Sequence, residues 1–290
     1  MATFPSRTVA IGGSSGLIGS ALSTYLASEG HKVLRLPRGP LDPGALEGVD
    51  AVVSLGGAGI ADGRWTEARK RAIRESRLAV TRGLVESMGR QARKPSVFLS
   101  ASAIGYYGNR GPERVDEGSP SGDGFLAEVC REWESAAMSA AHAGTRTVLL
   151  RFGVVLSARG GALAKMLPPF RWGLGGPVGR GRQGLSWVAL DDVARAIGHL
   201  MRSEDVAGPV NVVAPDPVPQ RAFAQALGRA VSRPAVLPLP ALAVRALFGR
   251  MGEEVLLSGC FAVPARLEAS GFRFAYPRLD AALSHALRDG

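Results

Sequence analysis

Cysteine is scarce. Cys130 and Cys260 are the only two in 290 residues, too few for a disulfide framework, and no Cys/His cluster has metal-ligand spacing, so no metal is expected. Nothing approaches the roughly 18 uninterrupted apolar residues of a transmembrane helix, so no membrane role is expected. The first strand begins almost at once, leaving no room for a signal peptide. The expectation is a cytoplasmic protein. Repeats and low-complexity linkers are absent. The four histidines, at 31, 142, 199 and 285, are assigned no catalytic role.

Charge is not scarce: the formal net charge is +10. The basic residues are scattered through helices. No aromatic-interleaved basic stretch or DNA-reading motif accompanies them. A specific nucleic-acid partner is therefore ranked last, and only a general attraction to polyanions remains. A hydrophobic content of 46% is ample for a soluble core. The length suits one large domain, or one with a small extension.

Strand and helix patterns alternate for most of the chain, which predicts a parallel sheet covered on both faces. Strands are expected at 8–12, 32–36, 51–55, 97–100, 146–151 and 210–213. Amphipathic helices are expected from Leu17, and over 65–88, 125–143, 191–201 and 279–287. Pro37, Pro40 and Pro43 make a regular helix doubtful between the second and third strands. The expected fold is α/β: a Rossmann-type doubly wound parallel sheet with a small C-terminal α/β lobe. Residues 1–215 form the nucleotide-binding domain, with substrate-lobe pieces from about 153–185, and 216–290 form the lobe.

The first strand enters a turn with three spaced glycines, Gly13, Gly16 and Gly19, and a helix follows. Glycine permits the tight turn and lets backbone N–H groups approach a pyrophosphate at the positive end of the helix dipole. Gly13, Ser15, Gly16, Leu17, Ile18 and Gly19 are thus candidate cofactor-binding residues. Leu55 and Gly56 end the neighbouring strand and should pass close to the adenosine and ribose. NAD-selective sheets carry an acidic residue near the end of the second strand. Here Val33-Leu34-Arg35-Leu36-Pro37-Arg38 has none. Arg38, with Arg35 beside it, suits a 2′-phosphate, so NADP(H) is favoured over NAD(H).

Several blocks carry a family resemblance. Gly13 to Gly19, Ser100-Ala101-Ser102-Ala103-Ile104-Gly105-Tyr106-Tyr107-Gly108 and Trp187-Val188-Ala189-Leu190-Asp191-Asp192 resemble the extended short-chain dehydrogenase/reductase superfamily, in its epimerase/dehydratase layout. Arg64 to Arg69, Gly124 to Glu134, Leu150 to Ser157, Pro264 to Leu267 and Gly271-Phe272 narrow the likeness to an atypical, YfcH-like branch of NAD(P)-binding, epimerase-like proteins. The resemblance covers essentially the whole chain. It too places a basic residue at 38, although it usually has Ser or Thr where this chain has Pro37.

In that superfamily a Tyr-x-x-x-Lys pair moves the proton, a Ser orients the carbonyl, and a helical Asn assists. The resemblance assigns the Ser to Ser102. It aligns Leu126 with the Tyr, Cys130 with the Lys and Arg77 with the Asn. Candidate catalytic residues are therefore Ser102, Tyr107 and Cys130. Each also has a plain reading: a strand-end cap, a structural ring and a small core residue. Arg77, Ser100, Arg151 and Val154 join the cofactor-binding candidates. Arg180, Arg182 and Gln183, in a Gly-rich loop, are candidates for gripping an anionic or polar substrate, or belong to a flexible surface loop. Trp187, Asp191 and Asp192 read as architectural. Two functions stay open. One is an NADP(H)-dependent oxidoreductase or epimerase-like enzyme acting on a small molecule, as monomer or homodimer. The other is a catalytically silent NADP(H)-sensing protein.

Overall fold

A computed structural model describes residues 6–288. Six parallel strands form the central sheet: β1 (Thr8–Gly12), β2 (Lys32–Arg35), β3 (Ala51–Ser54), β4 (Val97–Ala103), β5 (Arg146–Phe152) and β6 (Gly208–Val212). Their spatial order is β6-β5-β4-β3-β1-β2. The chain leaves β1 to one side for β2 and then crosses to β3 on the other. Between β1 and β3 the winding reverses, and such a point leaves a crevice at the C-terminal ends of the strands.

Period-two alternation divides the sheet's side chains between two layers. Val9, Ile11, Val53 and Leu99 pack against Leu22 and Leu26 of α1 (Leu17–Ser28). Ala10, Val52 and Phe98 face the opposite way, onto Leu84 and Met88 of α2 (Glu67–Gly89) and Ala137 of α3 (Phe125–His142). Both faces are therefore dry, which is why these strands read as continuous apolar runs. Thr66 starts α2 by accepting a hydrogen bond from the Arg69 N–H at 3.1 Å. The proline-bearing connection before β3 forms turns, as its composition predicted.

A second apolar cluster lies beyond the sheet. Leu163, Leu167 and Phe170 of α4 (Gly161–Arg171) meet Trp187, Phe223, Leu227 and Leu283. The helix α5 (Leu190–Arg202) carries Val193, Ile197 and Leu200 back onto the sheet's first face. Asp192, at the start of α5, is fully buried. Its carboxylate accepts from the N–H groups of Ala275 and Tyr276 at 2.7 and 2.9 Å, which pins the C-terminal segment to the sheet. That is an architectural role, achieved by a long-range bridge rather than by capping its own helix. Among the described residues no helix is long and apolar enough to cross a membrane, and no acidic, His or Cys group is arranged for a metal.

Candidate functional site

The glycine turn occupies the crevice. Gly13 has φ +80°, and a Cβ there would lie 2.8 Å from backbone atoms of Leu55 and Gly56. A Cβ on Gly19 would overlap the Gly13 carbonyl. These two glycines let β1, β3 and α1 close up. Gly16 differs: it is exposed, its N–H donates to Gly13 O at 3.1 Å, and a Cβ there would touch only that oxygen, at 3.4 Å. The first N–H groups of α1 have no intrahelical acceptor, and no acidic residue occupies its first turn. Leu17 and Ile18 begin that turn. The arrangement favours an anion.

Arg35 is the last residue of β2, in register with Ile11. Arg38 follows on the exposed loop, its Nη2 3.5 Å from Ser15 Oγ. The end of β2 is thus drawn toward the glycine turn. Leu55 N–H donates to Gly12 O at 2.8 Å, and Gly56 packs under Val80.

Arg77 is held by its own helix and by the loop after β3. Its Nη1 donates to Ala58 O and Ile73 O at 3.0 and 2.9 Å, and its guanidinium stacks on Trp133. Burial pulls its pKa down. Its observed work is to brace the loop after β3, together with Ser76, whose hydroxyl accepts from Ala58 N–H. Ser100 is fully buried within β4. Val154 lies on a short strand, Val154–Leu156, that pairs with Trp187–Ala189.

At the end of β4 the structure gathers Ser102, Cys130, Arg151 and Tyr107, and adds residues the sequence reading missed. Ser102 Oγ donates to Glu134 Oε1 at 2.7 Å. Glu134 is joined to Arg151 by two 2.8 Å contacts. Arg151 Nη1 donates to Tyr107 Oη at 3.0 Å, and Tyr107 Oη donates to Asn211 Oδ1 at 2.7 Å. The Asn211 N–H donates to Glu117 Oε1 at 2.9 Å. The Arg151 guanidinium also lies 3.5 Å from the ring centre of Tyr106. One polar chain therefore crosses the interior from α3 to β6.

This chain fixes protonation. Burial lowers the Arg151 pKa, but the Glu134 carboxylate and Tyr107 outweigh it and hold the guanidinium charged. Burial pushes Tyr107 up to about 12, against the pull of Arg151. Its hydroxyl already has two partners and its ring is fully buried. Cys130 is pushed up to about 11 by burial and then by the Glu134 charge. Its Sγ faces Ala103 O at 3.7 Å. At neutral pH both groups are locked in their protonated forms. The sequence signal for Glu134 was its position: four residues after Cys130, on the same face of α3.

Leu126, at the place the resemblance gives to the tyrosine, packs against Gly105. Its N–H and that of Phe125 donate to the Glu254 carboxylate. Gln183 engages its Nε2 within the protein, donating to Val178 O and Leu256 O at 3.1 and 2.8 Å. Arg180 and Arg182 are exposed. His285 meets Asp191 at 2.7 Å and His199 meets Ser270 at 2.9 Å.

Comparison with known proteins bears on this geometry. The NAD dependent epimerase/dehydratase family pattern matches residues 9–213, and a domain of unknown function, DUF1731, matches 239–286. The chain is 44% identical to the epimerase family protein Mb2239 of Mycobacterium bovis, covering 96% of this chain and 97% of that one. It is 37% identical to human epimerase family protein SDR39U1, covering 95% and 98%. The crystal structure of human SDR39U1 with NADPH superimposes with a TM-score of 0.90, at 35% identity, over 97% of this chain and 99% of that one. A nucleoside-diphosphate sugar epimerase from Corynebacterium glutamicum gives 0.79 at 36% identity, over 98% of this chain and 58% of that one. This chain therefore belongs to the NAD dependent epimerase/dehydratase family.

Proposed function

We propose that the chain binds NADP(H) across the C-terminal edge of the sheet and serves as an oxidoreductase or epimerase-like enzyme for a small polar molecule. The observation that carries the reading is the end of β2, where Arg38 reaches to Ser15 and no carboxylate competes for a 2′-phosphate. The site fits the group in two further respects. The first turn of α1 is exposed at Gly16 and free of acidic residues. The human relative, which aligns over nearly the whole chain, was crystallised with NADPH.

When bound, the nicotinamide supplies or accepts a hydride. The chain's own residues bind and orient. Ser15 and the N–H groups of Leu17 and Ile18 hold phosphate oxygens, and Arg38, backed by Arg35, pairs with the 2′-phosphate. Ser102 donates its hydroxyl hydrogen bond to Glu134, so toward a substrate its oxygen can only accept, from a hydroxyl. Tyr107 and Cys130 stay protonated and take no proton at neutral pH. Neither then serves at neutral pH as the base that removes a proton from the substrate. The test is reduction of NADP⁺ against a panel of polar alcohols, the substrates whose hydroxyl Ser102 would accept from, with Ser102→Ala beside the wild type. Turnover that Ser102→Ala reduces supports the enzyme reading. Absence of turnover across the panel, with NADPH still bound, favours the silent sensor, for which the buried state of Tyr107 and Cys130 speaks.

A further inference from the structure

A cleft of about 730 Å³ begins beside the glycine turn and continues along α1 toward the start of α5, and Ser15, Gly16 and Leu17 line it together with Arg159, Gly160 and Gly161. Arg159 to Gly161 form the short loop that leads into α4. Two features hold it in place. The buried Ser157 accepts a hydrogen bond from the Arg159 N–H at 3.2 Å. Beyond it, Cβ atoms on Gly160 and Gly161 would sit 3.7 and 3.4 Å from the Leu17 side chain. The loop thus lies on Leu17, the first residue of α1.

Among the residues lining the cleft, two arginines, Arg159 and Arg195, face one acid, Asp191, so positive charge prevails. α1 and α4 both begin at this place, and neither has an acidic residue in its first turn. Helix starts carry partial positive charge. Arg159 adds a full cation, exposed, with no hydrogen bond or ion pair from its guanidinium among the described residues. The other charged groups of the cleft are engaged: Asp191 with His285, and Arg195 with Asp192 and with Arg273 O. Three positive features around one opening describe a seat for a doubly charged anion, and a guanidinium matches the paired oxygens of a phosphate.

We propose that Arg159 is a cofactor-binding residue that closes over the pyrophosphate of the dinucleotide, opposite the N–H groups of α1. The assignment rests on the NADP(H) reading above. It separates two cationic tasks: Arg38 recognises the 2′-phosphate that distinguishes NADP from NAD, while Arg159 grips the diphosphate common to both.

The experiment is an equilibrium titration of wild type, Arg159→Ala and Arg38→Ala with NADPH, NADH and adenosine 2′-monophosphate, followed by fluorescence for the dinucleotides and calorimetry for the monophosphate. Arg159→Ala should weaken NADPH and NADH by the same factor, about tenfold or more for a lost charge-assisted contact. It should leave the monophosphate, which has no pyrophosphate, unchanged. Arg38→Ala should show the reverse pattern, losing NADPH and the monophosphate and sparing NADH. Because Arg159 is exposed, its melting temperature should match wild type. Unchanged dinucleotide affinity in Arg159→Ala overturns the assignment, as does a loss confined to NADPH and the monophosphate, which would make Arg159 a second 2′-phosphate ligand. If wild type binds neither dinucleotide, the NADP(H) reading itself fails and this assignment falls with it.

Discussion

Glu134 and Arg151 meet inside the protein as a two-pronged pair, Nε to Oε1 and Nη2 to Oε2, each at 2.8 Å. Neither side chain is more than 9% exposed. The pair ties α3 to β5, and through Ser102 and Tyr107 it fixes the end of β4. Shape at the candidate site therefore depends on an ion pair that itself faces no solvent.

Removing one partner strands the other charge. Glu134→Leu or Arg151→Met should each cost about 3–5 kcal/mol of unfolding free energy, measured by urea denaturation. The paired variant Glu134→Leu with Arg151→Met should be more stable than either single change. Additive losses would show that the two residues do not act as a pair.

Tyr107 gives a separate test, because its hydroxyl bonds both Asn211 and Arg151. Tyr107→Phe should cost about 1–3 kcal/mol and leave NADPH affinity intact. If enzyme turnover is found, its pH profile should be the same in the variant. A displaced alkaline limb would put the Tyr107 proton into the chemistry.

Alkaline stability follows from the same burial. Cys130 rises from 9.0 to about 11, Cys260 from 9.0 to about 12 and Tyr107 from 10.0 to about 12. Burial leads each shift. A group with a raised folded pKa stabilises the protein fully below its unfolded value and loses that contribution as pH rises through the folded one. Unfolding free energy should therefore fall as pH rises from about 9 toward 11, within the interval those values span. A urea midpoint that holds steady or climbs across that window would contradict the burial of these groups.

At Gly13 both space and conformation are closed. The φ of +80° disfavours a side chain, and the nearest atoms are backbone, which cannot swing aside. Gly13→Ala should destabilise the protein by at least about 1 kcal/mol and weaken NADPH binding. Gly16→Ala, where a Cβ meets only the Gly13 carbonyl at 3.4 Å, should be the milder of the two for stability.

Much of this was legible in the chain because the signals were local. The apolar runs expected as strands at 8–12, 51–55 and 97–100 are buried strands, observed at 8–12, 51–54 and 97–103. Three prolines after β2 predicted the missing helix. The helix expected over 65–88 spans Glu67–Gly89, its start set by the Thr66 cap. The site's inner wiring was less legible. Arg151 was expected beside the cofactor, yet its partner lies on another element, and only packing reveals that Glu134 turns inward. Neighbouring Tyr106 and Tyr107 have the same composition signal, but the turn at Ile104–Tyr107 buries the second and half-exposes the first. Glu254 reaches Phe125 across 129 residues, a distance over which no sequence pattern speaks.

The central claim is that the glycine turn and Arg38 together hold NADP(H). Its most direct measurement is a fluorescence titration of the purified chain with NADPH and with NADH, repeated on Arg38→Ala. The account predicts tighter binding of NADPH than of NADH in the wild type, with most of that preference lost in the variant. No binding of either dinucleotide, or an equal loss of both in Arg38→Ala, would contradict it.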